Sequence, residues 1–377
     1  MKRDYPGLDL IRLGAALLVA FYHLCFWWWL PAHDVGAALD PAAGITGKFV
    51  GSGWIGVQIF FVLSGFVIAF TADGRSPGQF LQNRALRLYP TAWICATLTL
   101  LIAGGTATAY GRALLLAPTG PWISGAYWTL PIEISFYLLV SCALALRIDL
   151  TRLLAVIALL GSGYWLARTL DFLLGKPWRP FFEAVEGSSW GNLTLLTYGC
   201  YFAIGMILWA FAADRSVRSH LPLLALSLLA ALLQIVSNSR SVDLKNGTQV
   251  GVVMPLLIFG AAFIGIVLAI VGNGRIEALL GERRHLVRTA GLMTYPLYLV
   301  HSEVGRDVAL ALAPAVGSPL APLLALVAVT ILARLVLFIE PWAKAPLRRL
   351  LERLTGKSAP HAASPTSRAT ASGQAAD

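Results

Sequence analysis

Apolar residues run along this chain in long blocks, and short polar stretches rich in arginine separate them. A helix needs roughly 20 apolar residues to cross the hydrocarbon of a bilayer. Blocks near that length stand at 8–30, 49–72, 90–106, 127–147, 150–170, 192–213, 221–237, 250–271, 289–312 and 319–340, with 90–106 and 221–237 the shortest. Each block predicts a span, because only helices and closed barrels satisfy the backbone inside lipid. The expected fold is therefore all-α and polytopic, with about ten transmembrane helices. The first block follows Met1, Lys2 and Arg3 as a secretion signal would. However, it is long, carries Asp9, Arg12 and His23, and has no clear small-residue cleavage site. A retained first span is expected.

Composition agrees. Of 377 residues, 57% are hydrophobic and only 13% are charged, against about 25% charged in soluble domains. A soluble enzyme, a disordered chain and a disulfide scaffold are excluded as descriptions of the whole. The net charge of +10 does not point to nucleic acid, since no basic stretch with interleaved aromatics forms a groove. Instead the basic residues sort by side. With the N-terminus inside, 19 of 29 fall on inner segments and 6 on outer ones. That bias predicts both termini in the cytoplasm and an even number of spans. Trp27, Trp28 and Trp29 then fall at the outer interface. Cys25, Cys95, Cys142 and Cys200 are scattered through apolar runs without a C-x-x-C pair. They read as small buried hydrophobes, with no metal site indicated. The membrane domain is expected over 1–345. The remaining 346–377 is basic, then rich in Ala, Ser, Pro and Thr, and reads as a largely disordered tail. No internal repeat is visible.

Charge within hydrocarbon is costly and marks function, so a short set of residues carries most of the information. Arg12 and His23 are eleven residues apart. At 3.6 residues per turn they share a face, about 16 Å apart along the axis. Ala16 and Val19 lie between them, and Asp9 stands one turn before Arg12, in reach of an ion pair. Arg12 is a ligand-binding cation or a snorkelling anchor. His23 is a base or a partner in an interhelical hydrogen bond. Ser64 lies on a Gly/Ser stripe suited to close helix packing. Arg84 and Arg87, at i and i+3 in the basic inner segment 73–89, are phosphate clamps or positive-inside anchors. Glu133 lies about two turns into its span at the depth of His23 and needs a partner. His301 sits at mid-membrane, with Pro296 loosening the helix below it. Arg334 and Glu340 read as a structural pair or as anchors. A positive inner mouth with a His/Glu cluster deeper in the bilayer suits acyl-coenzyme A. Its phosphates would be held inside and its thioester extended toward a His base that a carboxylate orients.

The motifs resemble those of membrane acyltransferase family 3. They are Leu8-Asp9-Leu10-Ile11-Arg12 followed by His23, Phe60-Phe61-Val62-Leu63-Ser64-Gly65, Arg84-x-x-Arg87, Trp128-Thr-Leu-x-x-Glu133-x-x-Phe136-Tyr137 and Tyr295-Pro296-Leu297-Tyr298-Leu299-Val300-His301, in that order over roughly 5–345. The resemblance implies a ten-helix fold and O-acylation of surface polysaccharides, lipid-linked glycans or glycolipids. It implies acyl-CoA, acetyl-CoA first among them, entering from the cytoplasm. Arg12, Arg84 and Arg87, with Ser64, would then serve the donor. His23 would act as base or carry the acyl group transiently, with Glu133 orienting it, and Tyr298, His301 and Trp128 would line the substrate passage. Two positions depart from the pattern. Leu13-Gly14 stands where Gly commonly follows the arginine directly, and Ile134 stands where a second acid often follows Glu133. Relatives often carry a fused periplasmic esterase-like domain. None is present in these 377 residues, so the acceptor is expected to reach the membrane site itself. The competing expectation is a transporter or flippase of a glycan or acyl lipid without covalent chemistry. Oligomeric state is not legible.

Overall fold

The computed structural model describes residues 4–30, 44–215, 217–317 and 319–354. Lys2, Arg3, Lys357 and Arg368 of the charge count, and the tail from 355, lie outside the described residues. Among those described, every regular element is helical. In chain order they are α1 (Pro6–Cys25), α2 (Gly44–Gly51), α3 (Gly56–Ala72), α4 (Pro77–Ala103), α5 (Ala107–Leu115), α6 (Thr129–Ala145), α7 (Leu150–Leu173) and α8 (Arg179–Gly187). They continue with α9 (Ser189–Leu193), α10 (Gly199–Ala212), α11 (Val217–Asn246), α12 (Val253–Val271), α13 (Asn273–Leu280), α14 (Arg284–Val300), α15 (Glu303–Val316) and α16 (Ala321–Leu354). Eight helical segments are long and apolar enough to cross a membrane: Pro6–Trp29, Gly47–Ala72, Pro77–Ala103, Gly125–Ala145, Leu150–Leu173, Arg218–Asn246, Val253–Val271 and Ala321–Arg353.

Eight of the ten expected blocks thus reappear, and the two shortest blocks become two of the longest helices. Helix α4 starts at Pro77, so Arg84 and Arg87 lie on a continuous helix and not in an inner loop. Ser76 caps it by accepting the N–H of Gln79, and Pro77 suits the first turn. The other two blocks differ. Within 192–213 the apolar helix is only 14 residues, because Thr197 bonds back to Asn192 and Gly191 and turns the chain. Block 289–312 breaks at His301–Ser302 into α14 and α15. Glu303 pins that joint by accepting from the Ser124 hydroxyl and, at 2.8 Å, from the Gly125 N–H. The segment between blocks 150–170 and 192–213 holds α8 and most of α9. Helix α16 continues past 345 to Leu354.

Helix α10 is buried almost throughout and packs on α3 at backbone distance. A Cβ on Gly65 would overlap the Phe202 carbonyl, and one on Gly205 would overlap the Val62 carbonyl. Small residues let helices approach this closely in lipid. Gly205→Ala is therefore expected to lower thermal stability in detergent by about 1–3 kcal/mol. Gly163→Ala, where a Cβ meets nothing within 4 Å, should leave it unchanged. A fluorescence-detected melting series checks both.

Helices α1 and α3 run antiparallel. The Tyr5 ring lies 5.1 and 5.6 Å from Phe66 and Phe70, while Gly53 and Gly56 meet α1 at Leu18 and Ala15. Asp73 after α3 pairs with Arg215 at 3.0 Å, and Arg215 reaches Asp149 at 3.9 Å. The start of α7 therefore lies at the same end as the start of α1. There Asp149 caps α7, and the Thr151 N–H at 2.7 Å holds its carboxyl below the usual range. Cys25, Cys95 and Cys200 are buried as expected, whereas Cys142 is exposed. The expected Arg334–Glu340 pairing is not formed. Six residues around a helix is about 240°, and Glu340 instead meets Lys344, one turn on, at 3.5 Å.

Candidate active site

Three cavities lie in series along α1. The first is a vestibule of about 510 Å³ at its N-terminal end, lined by Asp4, Asp9, Arg12, Arg87, Arg284 and Arg288 among others. The second is a small inner chamber of about 90 Å³, which holds Arg12, Ser64, Arg84, Arg87, Glu133 and Tyr137. The third is an outer chamber of about 450 Å³, which holds His23, Trp27, Trp128, His301 and Glu303. Arg12 and Arg87 line both the vestibule and the inner chamber. Val57 and Tyr298 line both the inner and the outer chamber. The middle volume is the smallest, so these two residues bound the narrow part of the route.

Positive charge concentrates in the inner chamber. Arg12 donates to Asp9 at 3.0 Å, as the one-turn spacing predicts. Arg84 lies over Phe80 and Tyr137, 5.7 and 5.8 Å from the ring centroids. Its Nε–H is buried with no hydrogen-bond acceptor, and among the described residues neither Arg84 nor Arg87 has an ion-pair partner. A buried guanidinium N–H without an acceptor is costly and suits an anionic ligand, and Glu133 is the carboxylate that shares the cavity with these arginines. The expectation of a positive mouth needs correction, because Asp4, Asp9, Glu277 and Glu282 balance the vestibule arginines. Two of those acids, Glu277 and Glu282, come from a segment that only the fold brings to the start of α1.

The histidines meet each other. His301 Nε2 is 3.1 Å from His23 Nδ1, although 278 positions separate them. His23 Nδ1 is also 3.0 Å from the Val19 carbonyl, and His301 Nδ1 is 2.7 Å from the Tyr298 carbonyl. A carbonyl only accepts, so both rings carry their proton on Nδ1 when neutral. The His23 Nδ1–H is then shared between the Val19 oxygen and the His301 Nε2 lone pair. The basic lone pair of His23 lies on Nε2. The break at 301–302 seats His301, whose side chain is buried.

Glu133 belongs to a different chamber from His23. Its Oε1 accepts from the Ser64 hydroxyl at 3.0 Å, beside the arginines that line the same cavity. In the fold His23 meets His301, while Glu133 meets Ser64. Depth alone suggested pairing Glu133 with His23, and depth does not say which way a helix face turns. Tyr298 receives the Thr129 hydroxyl at 3.2 Å and stands edge-on to Phe60. Trp128 packs on Tyr198, with centroids 5.6 Å apart. Trp27 is 6.4 Å from the His23 ring, Arg306 lies 4.7 Å over Trp28, and Trp29 is buried and donates to the Leu24 carbonyl. Sequence reasoning missed Val57, Thr129 and Glu303. Only the Trp128-Thr129 dipeptide offered a hint. Among the described residues no cluster of His, Cys, Asp and Glu suits a metal ion.

A family model described as an acyltransferase domain matches residues 5–338. The chain belongs to membrane acyltransferase family 3. Two curated relatives are similar to it. Nodulation protein 10 of Rhizobium leguminosarum bv. viciae is 27% identical over 249 residues, 56% of this chain and 65% of that protein. Exopolysaccharide production protein ExoZ of Rhizobium meliloti (strain 1021) is 31% identical over 118 residues, 26% of this chain and 37% of that protein. The chain thus spans less than two thirds of either relative's length. No solved structure matches it. Family membership places the chain among acyltransferases, with helices suited to a multi-pass membrane position.

Proposed function

We propose that this protein takes an acyl group, acetyl first among the candidates, from acyl-CoA and transfers it to a hydroxyl of a lipid-linked or surface glycan. The reading is carried by the two-imidazole contact beyond Arg84 and Arg87, in successive cavities that share lining residues. The coenzyme A phosphates lie against Arg12, Arg84 and Arg87, from the cytoplasmic side that the 19-to-6 distribution of basic residues predicts. The thioester extends past Val57 and Tyr298 toward His23. The acceptor O–H gives its proton to His23 Nε2 as its oxygen bonds to the thioester carbonyl carbon. The resulting imidazolium is steadied through Nδ1–H by the Val19 carbonyl and His301. Collapse of the tetrahedral adduct breaks the C–S bond, and the leaving thiolate recovers the proton as free CoA thiol. Glu133, held by the Ser64 hydroxyl, offsets part of the arginine charge of the donor chamber. The printed name of one relative, exopolysaccharide production protein ExoZ, supports the glycan acceptor, and the bacterial source of both relatives supports the inner membrane.

Cavities in series also admit a carrier of glycans or acyl lipids without chemistry. Acetyl-CoA labelled in the acetyl group separates the two readings. Purified protein in nanodiscs with cell-envelope glycolipid should leave label in the glycolipid and release free thiol in equal amount. Thiol release without acceptor label, or neither, would overturn the proposal.

A further inference from the structure

A second charged cavity lies outside the line described above, between the C-terminal halves of α7 and α11 and under α8. Its volume is about 610 Å³. Its acids are already engaged. Glu186 takes Arg168 at 2.9 Å and Glu183 takes Arg179 at 2.6 Å. Lys176, Arg240 and Lys245 also line it, and among the described residues none of the three has an acidic partner. Lys176 is 5.2 Å over the Phe172 ring. Apolar lining comes from Trp165 on α7 and from Leu233, Val236 and Leu244 on α11. Phe172, Trp178 and Phe181 around it are exposed, as aromatic side chains are at the headgroup level of a bilayer.

Cations beside apolar lining at that level match a ligand with an anionic head and a hydrocarbon tail. The donor is not that ligand, because the groove is at the far end of α7 from Asp149 and the vestibule. The groove instead adjoins the His23 end. Lys245 lines both the groove and the outer chamber, and Asn238, Val242 and Asn246 of the same helix face the outer chamber. We infer that this groove holds the phosphate ester of a lipid carrier, so that a sugar attached beyond the phosphate reaches His23 past Lys245. The inference rests on the acceptor reading above and narrows it to a glycan borne on a phosphate-linked lipid.

Native mass spectrometry of the full-length protein, released from phosphatidylcholine nanodiscs, tests it with three probes: a polyprenyl monophosphate, phosphatidylglycerol and inorganic phosphate. Wild-type protein should retain the lipid phosphates. R240Q/K245Q should lower retention about tenfold or more, as expected for losing charge-assisted contacts of ~1.5–3 kcal/mol. Arg284→Gln, a cation at the vestibule end, should retain lipid like wild type. R240K/K245R should restore retention, and undiminished acyl-CoA binding by R240Q/K245Q reports that it is folded. Equal retention by wild type and R240Q/K245Q would overturn the groove. So would displacement of the lipid by inorganic phosphate at matching concentration, which would make the occupant a free anion. The readout is independent of catalysis. Lipid retention without acyl transfer would strike the proposed reaction alone, and transfer with retention indifferent to R240Q/K245Q would strike the groove alone.

Discussion

His23→Ala is expected to lower kcat for acyl transfer by about 10²–10⁴, the usual worth of a positioned general base. The KM for acyl-CoA should change little, because the arginines that bind the donor line a different chamber. His301→Ala should also lower kcat, by a smaller factor. It removes the acceptor for the His23 Nδ1–H and leaves the Val19 carbonyl as the remaining partner. The double substitution should be no worse than His23→Ala alone, since residues that act as a unit are not additive. His301→Gln tests positioning against packing. Its side-chain oxygen can accept the same proton, so it should recover part of the loss. Wild-type turnover in His23→Ala would remove the imidazole from the reaction. Strictly additive losses in the double variant would break the proposed coupling.

Arg84→Ala is expected to raise the Kd for acyl-CoA by tenfold or more, with Arg87→Ala similar. Each substitution removes charge-assisted contacts of about 1.5–3 kcal/mol. The size of the effect follows from what surrounds the groups. Arg84 has a buried Nε–H without an acceptor, and among the described residues neither arginine forms a direct ion pair. Binding by wild type should weaken as salt rises, and the slope should be shallower in each variant. Dephospho-CoA, which lacks one phosphate, should lose less affinity from these substitutions than CoA does. Isothermal titration in detergent measures all of this. Unchanged affinity and salt slope in both variants would reduce the pair to membrane anchors.

Much of the architecture was legible because bilayer crossing is a local demand. A run such as Val253–Val271 needs no information from elsewhere to declare itself a span. Helical period likewise put Arg12, Ala16, Val19 and His23 on one stripe and Asp9 within reach of Arg12, and that ion pair is formed. The same reasoning misjudged places where distant segments decide. Block 289–312 reads as one helix, but Glu303 is captured by Ser124 and Gly125, 179 and 178 positions away, and the helix breaks beside His301. Block 192–213 reads as a full span, but its first third is folded into turns and the remaining helix is wedged against α3.

By itself, then, the order of residues determined an all-helical membrane chain, the sidedness expected of it and the identity of its buried ionisable groups. Each of these depends on hydropathy or on spacing within one helix. The tertiary structure alone decided who meets whom: His23 with His301, Glu133 with Ser64, and Arg84 and Arg87 beside Glu133 in one chamber without a direct ion pair among the described residues. Such pairings depend on how each helix is rotated about its axis, and packing between helices sets that rotation. A rotation of half a turn would leave every span intact and send the same imidazole to a different neighbour.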